Sequence, residues 1–254
     1  MHLATKLGDL RRRKRTLIIK SMQRLSLLAI AVAAAVGMAR SHADGQEYGS
    51  VLAVYAVPVR PMLGCVGVAP PGGQVIDARE SGVYGGNMDF NEIREGVTLY
   101  LPVFQRGALL FLGDGHALQG DGELTGDALE TSMTIDFSVE VFPSNSTFRR
   151  RINSPRAEND EYLMAIGISG DLSDALRAAT TDLARWLATD YGLTDAEVAS
   201  VLGSSMRYDV AELVGSEVSI VAKIQKIVSR QLRRATGPSG TASRVTPPTP
   251  PNEL

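Results

Sequence analysis

The sequence has a single cysteine, Cys65, among 254 residues, so no disulfide can form within the chain. Histidine is almost as scarce: there are three, and His116 is the only one beyond residue 43. A serine or cysteine nucleophile activated by histidine would have to use His116, and no Gly-x-Ser-x-Gly motif accompanies it. Cys65 lies in an apolar stretch, which favours an inert buried thiol over a reactive one.

Lysine is also scarce beyond residue 43. Beyond residue 43 the chain has only Lys223 and Lys226, which disfavours a catalytic lysine in the core. Nine of the 26 basic residues and one of the 28 acidic residues precede residue 44, which leaves 17 basic against 27 acidic side chains, a net charge of −10. Because nucleic acid is itself an anion, we expect no nucleic-acid partner.

Residues 1–43 have the pattern of a secretory signal peptide. The basic residues 11–15 precede an apolar run at 25–39, and Ser41-His42-Ala43 has small residues where a signal peptidase recognises them. We predict cleavage near Ala43 and a secreted or periplasmic protein, with no membrane attachment after cleavage. An uncleaved anchor is the weaker alternative, because a membrane-spanning helix needs about 20 apolar residues. Met22 is an alternative start.

Residues 44–235 are predicted to form one α+β domain, in which a β-rich core of strands and hairpins precedes a C-terminal α/β segment with two to three helices. Apolar and polar residues alternate most regularly at 133–141. The predicted strands are 51–57, 64–69, 97–103, 108–112, 133–141 and 162–168, with a hairpin turn at 105–107.

The period changes to that of a helix after Gly170. Asp171 is a good N-cap for a helix that Gly192 ends, and Thr194 with Glu197 forms a capping box for a second helix. A third helix is expected at 216–234. Residues 236–254 form a proline- and threonine-rich tail that we predict to be disordered.

The stretch from Gly113 to Glu123 contains four glycines and five polar side chains within eleven residues. Asp-Gly pairs commonly form turns between strands, and this is one interpretation. Turn chemistry does not call for the neighbouring histidine, glutamine and glutamate, so a functional site is the alternative that we favour. The candidate residues are Asn87, Asp89, Asp114, His116, Gln119, Asp121, Glu123 and Glu130.

One imidazole among carboxylates suits zinc, whereas a set of oxygen ligands alone would suit calcium. A metal held in this way can polarise a carbonyl group and lower the pKa of a bound water, with a spare carboxylate as general base. This combination is suited to the hydrolysis of a carbonyl or amide compound.

The same residues carry a resemblance to the acetamidase/formamidase family, over about residues 55–235. The matching motifs are Pro61-Met62-Leu63-Gly64, Gly67-Val68-Ala69-Pro70, Gly85-Gly86-Asn87-Met88-Asp89, Leu101-Pro102-Val103 and the stretch from Gly113 through Glu123 to Glu130. Tyr84 stands where the family commonly has a histidine, and the β-rich portion that family members carry upstream of Pro61 is shortened here.

The resemblance implies that short linear amides such as formamide and acetamide are hydrolysed to a carboxylate and ammonia by a homo-oligomer with bound zinc or calcium. It implies metal ligands at Asp89, Asp114 and His116. Further implied roles are Glu123 as general base supported by Asp121 and Glu130, and Asn87 and Gln119 as contacts to the amide. The shortened start leaves an alternative, a non-catalytic member that binds a metal or a small amide.

Overall fold

The computed structural model describes residues 15–26, 57–142 and 152–228. These residues form two antiparallel sheets and two α-helices. The strands are β1 (Arg15–Ser26), β2 (Met62–Gly67), β3 (Ser81–Gly82), β4 (Gly85–Asn87), β5 (Thr98–Val103), β6 (Phe111–Leu118), β7 (Leu129–Glu130), β8 (Thr134–Phe142), β9 (Arg156–Glu158), β10 (Tyr162–Ser169), β11 (Arg207–Glu212) and β12 (Val218–Gln225). The helices are α1 (Leu172–Tyr191) and α2 (Asp195–Ser205), and Pro71–Gly73 forms a short 3-10 turn.

The larger sheet has seven strands in the order β11-β12-β10-β9-β5-β1-β8, and the smaller has five in the order β3-β4-β2-β6-β7. Strand β10 shows how the layers stack. Its Leu163 and Ala165 pack in the cluster that includes α1, whereas Met164 and Ile166 pack with residues of the smaller sheet. The larger sheet is therefore covered on both faces, by the smaller sheet and by the helices. This confirms the predicted β-rich fold with a C-terminal α/β segment.

Helix α1 begins and ends where the sequence predicted. The Asp171 carboxylate accepts hydrogen bonds from the backbone of Ser173 and Asp174, and Gly192 ends the helix with a left-handed φ of 68°. The capping box of Thr194 and Glu197 is present at the start of α2. No helix within residues 57–142 and 152–228 is long and apolar enough to cross a membrane.

Two local predictions were wrong. Within the helix predicted at 216–234, Val218–Gln225 is strand β12, because its alternate residues pack on both faces of the larger sheet. Residues 226–228 are helical, and the rest of that prediction lies outside the described residues. Strands β5 and β6 lie in different sheets, so residues 105–107 join two layers and do not form a hairpin. The strand predicted at 51–57 falls almost entirely outside the described residues, as does the C-terminal tail.

Strand β1 comes from the segment that the sequence assigns to a signal peptide. It lies between β5 and β8 in the larger sheet, and Leu17, Ile18 and Ile19 are at most 4% exposed. In the described sheet β8 pairs only with β1. Residues 15–26 are therefore either removed with a signal peptide or retained as a strand of the larger sheet. The predicted cleavage position near Ala43 lies outside the described residues.

Deletion of residues 1–43 is expected to destabilise the fold strongly. The change removes β1, and burial of three aliphatic side chains contributes on the order of 5 kcal/mol. Thermal unfolding of the full chain and of chains starting at residues 15 and 44 measures the effect, with the chain from residue 15 as the control. A chain from residue 44 that unfolds at the same temperature as the full chain would contradict this role of β1.

Candidate active site

The candidate site lies over the smaller sheet, where β2 runs between β4 and β6. Strand β6 carries Asp114 and His116, and Asp89 follows the end of β4. Gly64 of β2 lies between the two aspartates. A Cβ atom at this position would come within 2.3 Å of Asp89 Oδ1 and 2.4 Å of Asp114 Oδ2. The absence of a side chain at Gly64 is what allows the two carboxylates to meet.

His116 is the centre of the polar cluster and is 1% exposed. Its Nε2 atom lies 3.2 Å from Asp114 Oδ1, 3.1 Å from Glu130 Oε1 and 3.9 Å from Glu123 Oε1. Burial opposes the charged imidazole, but the hydrogen bond to Asp114 and the negative charges of Asp114 and Glu130 outweigh it and raise the pKa of His116 to about 9. This arrangement of carboxylates stabilises a proton or a metal cation at Nε2.

Gln119 determines which histidine nitrogen faces the cluster. Its Nε2 donates to the backbone oxygens of Asp89 at 2.5 Å and Ala211 at 3.3 Å, which orients Oε1 toward His116 Nδ1 at 2.9 Å. Nδ1 must then donate its hydrogen to Gln119, and in the neutral imidazole the Nε2 lone pair is left free for a cation. Gln119 is buried and its polar groups are occupied, so the geometry assigns it to orienting His116 and not to holding the amide.

A second group of carboxylates adjoins the first and consists of Asp89, Glu123 and Glu212. These residues are 0%, 8% and 4% exposed, and their ligand oxygens lie within 4.8 Å of one another. Asp89 Oδ1 is buried with no hydrogen-bond partner among the described residues. No ion pair found in residues 57–142 and 152–228 links the group to a lysine or arginine. Three buried carboxylates of this kind need a bound cation or protons.

The pKa values in this group follow from burial and mutual repulsion. Burial, with the charges of Glu123 and Asp114, raises the pKa of Asp89 to about 7. Burial, with the charges of Asp89 and Glu123, raises the pKa of Glu212 to about 8. Burial also raises the pKa of Glu123, although the neighbouring His116 opposes the change. The carboxyl groups are therefore suited to holding protons near neutral pH in the absence of a cation.

Glu212 is the residue that the sequence prediction missed. The loop after β6 runs beside β11, with the Gly122 backbone N–H donating to Val210 O at 3.0 Å and that of Leu213 donating to Gly122 O at 3.0 Å. This pairing brings Glu212 to Glu123. The available signal was a single charge inside the apolar stretch 210–214.

Three of the site carboxylates lie on unusual backbone. Asp89, Asp114 and Glu123 have φ values of 43°, 58° and 45°, in the left-handed region that residues with a side chain seldom adopt. Only two other non-glycine residues of the described chain, Ala108 and Leu109, share this feature. Such backbone persists where the surrounding structure imposes it, and it concentrates at functional sites.

The remaining predicted residues differ in position. Asn87 lines the cleft and its Nδ2 donates to Asp89 Oδ2, and Glu130 reaches His116 from β7. Asp121 is exposed and accepts a hydrogen bond from Asn91 Nδ2 at 2.9 Å. The structure thus brings Asn87 and Glu130 to the cluster but leaves Asp121 outside it.

The cluster opens into a cleft of about 630 Å³. Cys65 also lines it, and burial with the charges of Asp114 and Asp89 raises the pKa of the thiol to about 12. A protonated thiol is a poor nucleophile, which supports the interpretation of Cys65 as inert.

The donor set fits a divalent cation. Asp89, Asp114 and His116 supply two carboxylates and one imidazole, the mixture that zinc prefers, while Asp89, Glu123 and Glu212 supply oxygen alone, which suits calcium. Asp89 belongs to both sets, and its Oδ1 atom has no hydrogen-bond partner among the described residues. Each set places its ligand atoms within 4.8 Å of one another.

Comparison with known proteins identifies the family. The model of the "Acetamidase/Formamidase family" matches residues 46–216, which is more than half of the chain. The chain belongs to the acetamidase/formamidase family. The predicted resemblance is confirmed, and the polar cluster lies within the matched range.

Relatives and solved structures of the acetamidase/formamidase family agree with this fold. The chain is 30% identical over 156 residues to an acetamidase from Mycolicibacterium smegmatis and 26% identical over 155 residues to a formamidase from Methylophilus methylotrophus. Each match covers 54% of this chain and 37% of the relative, so the matched part is little more than a third of the relatives' length. The crystal structure of an acetamidase from Bacillus halodurans superposes with a TM-score of 0.70 and 28% identity, covering 87% of this chain and 77% of that one.

Proposed function

We propose that this protein hydrolyses the carbon–nitrogen bond of short linear amides, releasing a carboxylate and ammonia. The observation that carries the proposal is the cluster of three buried residues, His116, Asp89 and Glu123, with the half-buried Asp114 beside a cleft. The names of the relatives, acetamidase and formamidase, support small amides as substrates.

A divalent metal, zinc or calcium, is part of the proposal. Asp89, Asp114 and His116 would hold it, with Gln119 fixing the imidazole so that Nε2 faces the ligand position. When bound, the metal would polarise the amide carbonyl and lower the pKa of a water.

Glu123 is the proposed general base. Its carboxyl group is buried, its pKa is raised, and it lies beside the group that would hold the metal. A carboxylate with a raised pKa can accept the proton from water and then transfer it to the departing nitrogen, so that amide and water become carboxylic acid and ammonia. Glu130 Oε1 lies 3.1 Å from Nε2 of His116 and adds negative charge beside that nitrogen. Asn87, at the cleft wall, is the proposed contact to the amide group.

Ammonia release tests the proposal directly. The purified full chain is incubated with formamide, acetamide and propionamide, as prepared, after chelation, and after zinc or calcium is restored. We expect release that chelation abolishes, and we expect Glu123→Gln to lower the rate by about 100-fold or more without unfolding the protein. Glu95→Gln, a change at an exposed loop position, is the matched control.

Two results would contradict different parts of the proposal. Absence of ammonia from folded protein whose bound metal has been verified by elemental analysis would favour the non-catalytic alternative, a member that binds a metal or a small amide. Normal turnover by Glu123→Gln would exclude Glu123 as the base and leave the amidase intact.

Export and a homo-oligomer are further proposals. The basic and apolar pattern of residues 1–43 supports export to the periplasm or medium, and the family supports association of copies. Cell fractionation with sequencing of the protein's N-terminus tests the first, and light scattering of the purified chain tests the second.

A further inference from the structure

The residues that line the cleft are of two chemical kinds. The polar and charged ones are Arg79, Asn87, Asp114, His116, Glu123, Asp127 and Glu130. The others, apart from two glycines, are Cys65, Ala78, Phe111 and Leu112. The proposed hydrolysis uses polar residues alone, and nothing in that chemistry explains an aromatic ring in the same cleft.

The volume of the cleft exceeds what a small amide fills. Water occupies about 30 Å³ per molecule in the liquid, so an amide with four non-hydrogen atoms fills on the order of 100 Å³. The cleft has a volume of about 630 Å³ and is open to solvent. Clefts of this size ordinarily hold much larger molecules that cover their apolar surface. Acetamide would leave most of the cleft to water.

Phe111 is an aromatic side chain that is 37% exposed. It pairs with Gly67 across β2 and β6, and a Cβ atom on Gly67 would lie 2.6 Å from Phe111 Cζ. The ring thus packs against the glycine, and part of its surface remains accessible in the cleft. An exposed aromatic ring is a favourable contact for an apolar ligand, because it offers a large apolar area with few rotatable bonds.

Backbone geometry places Phe111 and Asp114 in the same cleft. In a regular strand, Phe111 and Asp114 of β6 would face opposite sides of the sheet, since they are three residues apart. Both line the cleft, and Asp114 has the positive φ of 58° at which the alternation is interrupted. The ring therefore shares a cleft with the carboxylates through a local feature of the strand.

We infer that the protein acts on amides whose acyl group is apolar and longer than acetyl, with the acyl chain lying against Phe111. This inference rests on the proposed amide hydrolysis and defines its substrate class. An amide group bound beside His116 and Glu123 would let an apolar acyl chain extend toward Phe111 in the same cleft.

Substrate length and the ring are varied together to test the inference. Values of kcat/KM for acetamide, butyramide and hexanamide are measured with metal-loaded full chain and with Phe111→Ala and Phe111→Leu. We expect hexanamide to exceed acetamide by at least about tenfold, since an added methylene in an apolar site favours binding. Phe111→Ala should remove this preference, and Phe111→Leu should retain much of it. The matched control is Leu176→Ala on α1, where the leucine is 38% exposed.

Equilibrium binding separates failure of the inference from failure of the proposed function. Absence of hydrolysis of every amide would refute the proposed function, and the acyl site is then judged by calorimetric binding of hexanamide and acetamide to the same proteins. Tighter binding of hexanamide that Phe111→Ala abolishes supports the acyl site. Equal binding, or hydrolysis that favours acetamide in the unchanged protein, overturns it.

Discussion

Asp89→Asn is expected to lower kcat/KM for amide hydrolysis by about 100-fold or more while raising the melting temperature of the metal-free protein at pH 8. The activity falls because Asp89 belongs to both groups of ligand atoms and loses a negative oxygen to a neutral amide. The stability rises because the buried carboxylate has a hydrogen-bond-free oxygen and two acidic neighbours. The variant therefore separates function from stability.

The pH dependence of this effect has a definite sign. Burial raises the pKa of Asp89 from 3.8 to about 7 in the folded protein. The protonated form stabilises the fold, so its contribution is fully present below pH 3.8 and is lost as the pH rises through about 7. The gain from Asp89→Asn should accordingly grow between about pH 4 and 7, level off above that, and amount to a few kcal/mol at most.

Thermal unfolding of metal-free protein across this pH range, together with ammonia release by metal-loaded protein, measures both effects. Asp121→Asn is the matched control, because Asp121 is an exposed carboxylate in the same region of the chain. It should change neither quantity appreciably. An active Asp89→Asn protein with unchanged metal content would refute the assigned role of Asp89.

Gly64→Ala is expected to reduce activity by about 100-fold or more in a protein that remains folded. The new methyl group would lie 2.3 Å from Asp89 Oδ1 and 2.4 Å from Asp114 Oδ2, closer than non-bonded atoms allow. The two carboxylates must separate, which disrupts the ligand geometry that a metal requires. Metal content by elemental analysis and ammonia release by the same preparation measure the effect.

Gly113→Ala is a close control for this substitution. Gly113 lies on the adjacent strand β6, and a Cβ atom there would meet nothing within 4 Å. Gly113 is also not among the glycines with a positive φ, so alanine introduces no backbone strain there. We expect near-normal activity. If both variants lose activity equally, the loss does not depend on contact with Asp89 and Asp114, and the proposed role of Gly64 is refuted.

Local sequence signals predicted the features that depend on neighbouring residues. The cap at Asp171, the stop at Gly192 and the capping box of Thr194 and Glu197 are interactions within a few residues, so they could be identified without tertiary structure. The strand at 133–141 was found for the same reason. The helix predicted at 216–234 was wrong over Val218–Gln225, whose apolar residues are buried on both faces of a sheet, where periodicity does not distinguish helix from strand.

The candidate site could be predicted only in part. Composition and spacing singled out Asp114, His116 and Glu123, because a lone histidine among glycines and carboxylates suits metal chemistry. Nothing in the order of residues indicated that Glu212 lies beside Glu123, since that contact depends on how the loop after β6 pairs with β11. Gln119 was predicted as a substrate contact, and its actual partners include Ala211, 92 residues away.

The sequence by itself therefore determined the family, the boundaries of α1 and α2 and most of the side chains of the candidate site, because these depend on residue identity and short-range spacing. Tertiary structure alone decided that Asp89 and Asp114 meet over Gly64, that Asp121 is left outside, and that Phe111 shares the cleft. The physical reason is that such contacts arise from sheet pairing between distant segments and from left-handed backbone at single residues, neither of which follows from the regular alternation of a strand.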